Sequence, residues 1–584
     1  MSKGQIKYDP GQLSPFRRDF FKSDSVTARL GSGEIGGKAS GLAFIKDSLL
    51  QQFDSNRFPS VNLHIPRFVV ITTEYFDRFM AHNKLYEKIT SGLNDERLKQ
   101  IFLKAEIPPV MVGDLRGMIE VVNSPLALRS SSRLEDAMSE PFAGVYATKM
   151  IPNNQFDADT RFRRLVEGIK YVWASTFLKN ASDYIKMTGK NVAEEKMAIV
   201  IQEIVGTRYS DRYYPHFSGV ARSYNYYPVG RARPEEGVVD LALGLGKTIV
   251  DGGLVWSFSP QHPRVGPPVG SPAELLKLTQ TKFWAVNMGK MPEHDPLREA
   301  EYLEHCELDR AEKDGTLTFL ASTFKPQDNR IVAGTGSEGP RVINFASLLG
   351  GEEVPLANVI KHLLEICEEA VGAEVEIEFA ATLQGSYKPK LNLGFLQVRP
   401  MVVAHEKIDV AEDELSSDNV FIGSANTMGN GSCDNLTDIV YVRPDIFEAR
   451  YTPQIAGELD KINGRLISAG RRCLLIGFGR WGSSDPWLGI PVEWSQISSA
   501  AVIVEATLPE MNVELSQGSH FFHNLTSFGV FYLSVAHDRQ PGINWPWLEQ
   551  QKIIDSGEYV RHVRLEKPLT VKVDGRTRRG VVLK

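Results

Sequence analysis

Cysteine is scarce in this chain, with four in 584 residues, at positions 306, 367, 433 and 473. None falls at metal-site spacing, and so few thiols fit a reducing cytoplasm better than a disulfide-built secreted scaffold. Also missing is any apolar run approaching the roughly 20 residues of a membrane span. The opening stretch MSKGQIKYDPGQLSPFRRDF lacks the apolar core of a secretory signal, so a cytoplasmic protein with no membrane partner is expected. There is no excess of positive charge: 66 Lys and Arg stand against 72 Asp and Glu, a net charge of −6. That balance argues against a nucleic-acid partner. What remains is ordinary for a soluble globular chain, 42% hydrophobic and 24% charged. The length is too great for one core, so about two to four domains are expected.

The most informative stretch runs from Glu374 to Pro400, EVEIEFAATLQGSYKPKLNLGFLQVRP. Val375, Ile377 and Phe379 alternate with Glu374, Glu376 and Glu378, which gives a strand with one apolar and one carboxylate face. A Gly- and Pro-containing segment follows, and the chain returns with Gln397 and Arg399 two apart, on one face. Two carboxylates beside an amide and a guanidinium suit a metal-bound polyphosphate. Carboxylates are hard ligands for magnesium, and arginine grips phosphate with paired hydrogen bonds. Taken alone, the hairpin favours the blander reading, an exposed acidic strand face paired with a basic one.

Three further stretches give that hairpin a context: GGKASGL at 36–42, RSSSRLEDAMSEPFAG at 129–144 and DLALGLGKTIVDGG at 240–253. Together with the hairpin they resemble the ATP-binding portion of the pyruvate phosphate dikinase / phosphoenolpyruvate synthase family, over about residues 30–403. The second stretch is the most specific, with Arg-Ser-Ser, three variable residues, Glu-Asp and then Phe-Ala-Gly at the family's spacing. The resemblance implies an α/β fold with a two-lobed ATP-grasp module, and ATP and Mg2+ as ligands. By it, Lys38, Arg129 and Arg399 contact phosphates, with Ser130 and Ser131 as donors. Glu376, Glu378 and Gln397 fall on metal positions, and Gly244 and Gly246 on a Gly-Leu-Gly turn. Gln202 and Ile204 line an adenine pocket, where Glu203 takes the ribose hydroxyls or remains an exposed strand carboxylate. Lys247 stands where the family usually has an acidic residue.

Generic phosphate motifs do not apply at either end of the module. A Walker A reading of Gly36-Gly37-Lys38 fails because Ser32 and Ala39 occupy required positions, and a second at Gly246-Lys247-Thr248 fails at Leu241. Gly31, Gly33 and Gly36 spell G-x-G-x-x-G, but no buried strand is legible before them. Amides at a helix N-terminus beside Lys38 still offer an anion site. Elsewhere, IPRFVVITTEYFDRFM reads as strand, Thr72–Thr73 cap and helix, and a charged helix is expected around 297–314.

The expected domains are an N-terminal lobe at 1–205, a second lobe at 206–405, an acidic linker at 406–419 and a smaller α+β domain at 420–584. No Thr-Ser-His occurs, and the family's pyruvate-binding barrel alone takes about 250 residues. A self-contained pyruvate dikinase is therefore not expected. In the last domain Gly477, Gly479 and Gly482 follow an apolar strand, but Pro486, Gly489 and Pro491 forbid a Rossmann helix after them. A glycine loop through which a backbone approaches a ligand, flanked by Arg480, Trp481 and Asp485, is the better reading. His520 and His523 lie three apart and read either as a phosphoryl acceptor, His520 first, or as ordinary partly buried histidines. Five of the eight tryptophans fall between Trp481 and Trp547, as a small core or a stacking platform. The leading expectation is ATP-dependent phosphotransfer of the dikinase type, with Lys38, Arg129, Arg399 and His520 carrying it. The acceptor, a small molecule or a partner protein, is not legible, and a homodimer is compatible. A non-catalytic ATP sensor and an ATP-grasp ligase are the alternatives.

Overall fold

A computed structural model describes the chain except for residues 1–12, 21–24, 90–92, 133–145, 188–190, 226–227, 229–230, 268–270, 352, 386–387, 402, 404–407, 484, 512–524, 526–528 and 539–541. Glu135, Asp136, Phe142, Ala143 and Gly144 of the second motif, and both His520 and His523, lie outside the described residues. The chain divides into two compact units. One is Met1–Leu178 with Ala193–Val402, and the other is Lys179–Val192 with Val403–Lys584. Among the described residues no helix is long and apolar enough to cross a membrane.

The first unit opens with β1 (Thr27–Leu30), the helix α1 (Gly36–Gln52), β2 (Val61–His64), β3 (Phe68–Ile71) and the helix α2 (Thr73–His82). It continues with β4 (Leu126–Ser132), β5 (Thr148–Ile151), β6 (Met197–Glu203), β7 (Thr207–Tyr209), β8 (Arg212–Tyr214), β9 (Phe217–Arg222), β10 (Val238–Leu243) and β11 (Trp256–Phe258). Then come β12 (Lys282–Asn287), β13 (Leu303–Glu307), β14 (Ala321–Lys325), β15 (Arg330–Ala333), β16 (Arg341–Ile343), β17 (Val375–Gln384) and β18 (Lys390–Pro400). These strands form a sheet in the order β1-β3-β6-β4-β5 and a second in the order β11-β10-β9-β17-β18-β2. Smaller sheets follow, β13-β12-β8-β7 and β15-β14-β16. The fold is α/β. Near-continuous apolar runs such as FVVI in β3 and MAIVI in β6 sit at the centre of the first sheet, buried on both faces. The helix Leu356–Val371 buries Leu356, Val359, Ile360, Leu363, Leu364 and Cys367, one stripe at helical spacing, and Gly372 in the left-handed region ends it. Each such aliphatic side chain contributes about 1.5–3 kcal/mol on full burial. Ala39, Leu42, Ile45 and Leu49 of α1 join the same core as Leu363 and Val398.

Three expectations change here. A buried strand does precede Gly31: β1 pairs in parallel with β3 and was illegible because TARL is short and half polar. The second lobe is not confined to residues after 205, since β2 pairs in parallel with β18 and closes the second sheet. The region 297–314 is not one helix. It holds β13 and the short helix Leu308–Lys313, because β12 captures Leu303–Glu307 as an antiparallel partner.

The second unit holds β19 (Val420–Ser424), β20 (Thr427–Met428), β21 (Gly431–Val442), β22 (Cys473–Phe478), β23 (Arg480–Trp481) and β24 (Gly489–Ile490). After these come β25 (Ala500–Ala506), β26 (Phe531–Val535), β27 (Lys552–Ser556), β28 (Val560–Asp574) and β29 (Arg579–Leu583). One sheet runs β19-β29-β28-β21-β22-β25-β26-β20, with β27 added on β28. Its centre, β21 to β26, is parallel, and the helix Thr452–Ser468 connects β21 to β22. Residues 179–192, placed in the first lobe by the sequence reading, group with this unit, where Lys179 Nζ meets Asp460 Oδ1 at 2.7 Å. The acidic stretch expected as a linker is packed instead. Val410 and Leu415 are buried with Val581, while Glu414 pairs with Lys572 at 2.9 Å and Glu412 with Arg579 at 2.8 Å.

Candidate nucleotide site

The hairpin of β17 and β18 aligns Glu376 with Arg399 on one rung and Glu378 with Gln397 on the next, with a bulge immediately after Glu378. Val375, Ile377 and Phe379 turn into the core at 1% exposure or less, which forces both glutamates onto the opposite face. Glu376 is itself buried and held from two sides. Its Oε1 accepts from Arg399 Nε at 2.7 Å and its Oε2 from Arg222 Nε at 2.7 Å. Arg222, on β9, also donates from Nη1 to Asp240 of β10 at 2.8 Å, and Ser257 hydroxyl donates to the other oxygen of Asp240. Burial opposes the charge on Arg222, but Glu376 and Asp240 overcome it and hold its pKa above the usual arginine value.

Arg129 reaches this hairpin from β4. Its Nη2 donates to Gln397 Oε1 at 2.7 Å and to Glu378, and its Nη1 donates to the carbonyl of Leu396 at 3.3 Å. Register puts Arg129 opposite Val200, Ala127 opposite Gln202 and Ser131 opposite Ala198, so all six share one face of the first sheet. Against that face α1 lies close. The amide of Ala39 donates to Ser131 Oγ at 3.1 Å, that hydroxyl donates to the carbonyl of Ile35 at 2.8 Å, and Lys38 Nζ donates to Ser130 Oγ at 3.2 Å. Gly36, at φ +74°, permits this approach, because a Cβ there would overlap the carbonyl of Ser131. Consecutive residues of β4 thus make separate contacts, Arg129 with Glu378 and Gln397, Ser130 with Lys38 and Ser131 with α1, and Glu376 and Arg399 lie two strand positions further along the hairpin.

The glycine loop before α1 is committed elsewhere. The amide and hydroxyl of Ser32 donate to Glu74, the amide at 2.6 Å. The amide of Gly33 donates to Thr72 Oγ1 at 3.3 Å and that of Glu34 to Thr73 Oγ1 at 3.0 Å. These bonds from Ser32 lead in holding the Glu74 carboxyl below its usual range, against burial. The threonines expected to cap α2 thus hold this loop, and these three amides point at protein oxygens.

Gln202, expected to line an adenine pocket, sits at the other end of the same face, with Glu203 and Ile204 next in the chain. Gln202 is buried, and its Nε2 has no hydrogen-bond partner among the described residues. Glu203 accepts from Ser124 Oγ at 2.8 Å and from Arg67 Nε at 3.2 Å, so it is neither a bare strand carboxylate nor turned to the cleft alone. The amide of Ile204 donates to the carbonyl of Pro125 at 3.0 Å and its carbonyl accepts from Tyr213 hydroxyl at 3.0 Å. Its side chain packs with Ala127, Leu245, Val286 and Met288. The carbonyl of Gly244 accepts from Ser218 Oγ at 2.8 Å, and Gly246 precedes the one-turn helix Lys247–Val250. Lys247 pairs with Asp251 at 3.1 Å.

Sequence reasoning missed Arg222 and Asp240. The available signal was an arginine in FSGVAR and an aspartate in VVDLAL, each inside an otherwise apolar run that can bury a charge only by pairing it. Among the described residues no three His, Cys, Asp or Glu side chains gather as a metal cage. In the second unit, the glycine loop after β22 serves packing. Trp481 fills the space a Cβ at Gly477 would need and donates from Nε1 to the carbonyl of Val504 at 3.1 Å, and β23 pairs with β24 where a Rossmann helix would start.

Residues 32–419 match the family described as pyruvate phosphate dikinase, AMP/ATP-binding domain. The chain belongs to that family. Among curated proteins it is similar to an uncharacterized phosphotransferase, YvkC, of Bacillus subtilis, 28% identical over 192 residues, covering 33% of this chain and 21% of the relative. It is also similar to a phosphoenolpyruvate synthase of Aeropyrum pernix, 25% identical over 239 residues, covering 37% of this chain and 25% of the relative. The matched regions thus span a quarter or less of the length of these two relatives.

Proposed function

We propose that the first unit binds ATP with magnesium along the shared face of β4 and β6 and transfers a phosphoryl group, in the dikinase manner, to an acceptor still to be identified. The observation that carries this reading is that neighbouring residues of β4 meet Lys38, through Ser130, and Glu378 and Gln397, through Arg129, in a member of an AMP/ATP-binding family. The names of the relatives, a phosphotransferase and a phosphoenolpyruvate synthase, support the same class of chemistry. Magnesium fits the donor set, since it takes one or two protein oxygens beside phosphate oxygens, and Glu378 and Gln397 offer a carboxylate and an amide oxygen on one rung. Glu376, with an arginine on each oxygen, suits that role less well than a role in orienting Arg399. ATP fits too: the orphaned Gln202 Nε2 is a buried donor at the base end, two strand positions beyond Arg129 on the same face.

In this reading Arg129 leaves Glu378 for a phosphate oxygen, Arg399 does the same from Glu376, and Lys38 turns from Ser130. Magnesium, held by Glu378 and Gln397, would supply charge neutralisation on the phosphates. The protein's share is positioning and charge stabilisation as the β-phosphoryl group passes to the acceptor oxygen or nitrogen, its bond to the α–β bridging oxygen breaking so that AMP leaves, and the γ-phosphate departs as phosphate. The four thiols are free, which fits a reducing cytoplasm.

The test is incubation of the full chain with ATP labelled at the β phosphate, with products resolved by chromatography and any modified histidine mapped by mass. AMP with label on protein or on a small acceptor supports the proposal. ADP formed only with a carboxylate and an amine present would point to a ligase, and saturable ATP binding without turnover to a sensor. Either result would overturn dikinase chemistry.

A further inference from the structure

The second unit gathers positive charge around a single buried carboxylate. Asp438 on β21 is 1% exposed and accepts at Oδ1 from His562 Nε2 at 2.7 Å and from Arg564 Nε at 3.0 Å. Its Oδ2 accepts from Arg471 Nε at 2.8 Å and from Arg471 Nη2. Burial would raise its pKa, and these hydrogen bonds more than reverse that, so the group is an anion at any working pH. One carboxylate can neutralise only one of the two guanidinium charges. Arg564 spends only its Nε, and its two terminal nitrogens, like Nη1 of Arg471, have no acceptor among the described residues. The two side chains are 39% and 35% exposed. Lys552 on β27 is the direct antiparallel partner of Arg564, so it shares that face, and it is exposed. Asp555, beside His562 in the next register, is taken by Arg465 of the helix Thr452–Ser468.

We infer that Arg471, Arg564 and Lys552 form a binding site for a phosphate-class oxyanion, with Asp438 as the anchor that aims the two guanidinium groups. Both guanidinium groups are held on one carboxylate, so they stand side by side next to β28 with part of each exposed. Holding them there in advance removes ordering cost from binding. A single carboxylate ligand would leave donors unused, whereas phosphate, with two charges and three terminal oxygens, matches the terminal fork of Arg564, the Nη1 of Arg471 and an ammonium. Free phosphate and a phosphate monoester share this chemistry. The site is separate from the nucleotide site and does not depend on its assignment.

The test is calorimetric titration of the full chain carrying Arg129→Gln, which weakens anion binding at the nucleotide site, with inorganic phosphate and then pyrophosphate. Saturable binding at millimolar concentration or better is expected, weakening as salt rises. Adding R564Q should weaken it roughly tenfold or more, the scale of one lost charge-assisted hydrogen bond. K552Q, on the exposed β27, should weaken it less and leaves the fold intact should R564Q not fold. No binding of either anion or of glycerol 3-phosphate, titrated as the phosphomonoester, or binding unchanged by both R564Q and K552Q, would overturn the inference. Phosphomonoester binding with none of free phosphate would assign the source to an ester.

Discussion

Replacing Arg129 by alanine separates stability from ligand binding, because the two effects come from different neighbours. In the structure the guanidinium holds Gln397 at 2.7 Å, the Leu396 carbonyl at 3.3 Å and Glu378. The Glu378 side chain is 27% exposed, so water can solvate it once the arginine is gone. The stability cost then stays near that of a partly exposed pair, about 1 kcal/mol, or a fall of about 2–4 °C in Tm. The ligand effect is larger. A paired grip on phosphate lost to alanine removes about 3 kcal/mol, or about 100-fold in Kd for Mg·ATP. Turnover should fall further, by about 100- to 1,000-fold, if the same group steadies charge in the transition state. The assay is thermal unfolding with Mg·ATP at 100 times the wild-type Kd. There the wild type gains about 2.7 kcal/mol, and R129A at the same concentration only about 0.4 kcal/mol. R129K, a point charge that cannot span three acceptors, should fall between. An R129A protein that keeps the wild-type ligand-induced rise would refute the reasoning.

Other substitutions read other parts of the site. Gln202→Leu should raise stability by up to about 1–3 kcal/mol, since it removes a buried donor without a partner, while weakening ATP binding; calorimetric melting with and without Mg·ATP separates the two signs. Arg222→Met strands both Glu376 and Asp240 in a buried setting and should cost about 3–5 kcal/mol in denaturant unfolding, several times the R129A cost. Lys149 and Glu301 form an ion pair at 3.0 Å, 1% and 2% exposed, so Lys149→Met should cost about 3–5 kcal/mol, and the double variant Lys149→Met with Glu301→Leu should recover most of it. Asp438, with its pKa held below the ordinary 3.8, contributes stability that is complete above about pH 4 and is lost as pH falls toward its folded pKa. Asp438→Asn should therefore flatten the acid limb of a stability–pH curve that follows the second unit's tryptophan fluorescence.

The hairpin was legible because a period of two is a strong local signal, and its two rungs depend only on strand pairing within 27 residues. The face shared by Arg129 and Gln202 was not, since it requires β4 and β6 to pair across a gap of about 70 residues that no local pattern encodes. The same limit explains β2, whose VNLH reads as neither strand nor loop until β18 supplies a partner. It also explains β13, read as part of a helix because LEHCE is charged and lies next to a helical run. The acidic stretch before β19 misled by composition: Val410 and Leu415 are few, but both are buried. Composition counts residues, while packing depends on where two of them land.

The pairing of every cation in the nucleotide site with an acidic or polar partner has a consequence for how ligands enter. An anion alone that drew Arg129 and Arg399 away would leave Glu378 without its countercharge and the buried Glu376 with Arg222 alone, which Asp240 shares, a cost that rises with burial. A cation alone that took Glu378 and Gln397 would press against the displaced guanidinium of Arg129. A ligand carrying both signs lets each side chain exchange one opposite charge for another, so neither is stranded. If this face takes Mg·ATP as proposed, affinity for the metal and for the triphosphate should be coupled, and by linkage each should strengthen the other by the same factor. The Glu-x-Glu and Gln-x-Arg pattern on two rungs of one face would make the exchange local in the proposed complex, since each arginine would need to move only from its carboxylate to a phosphate beside it.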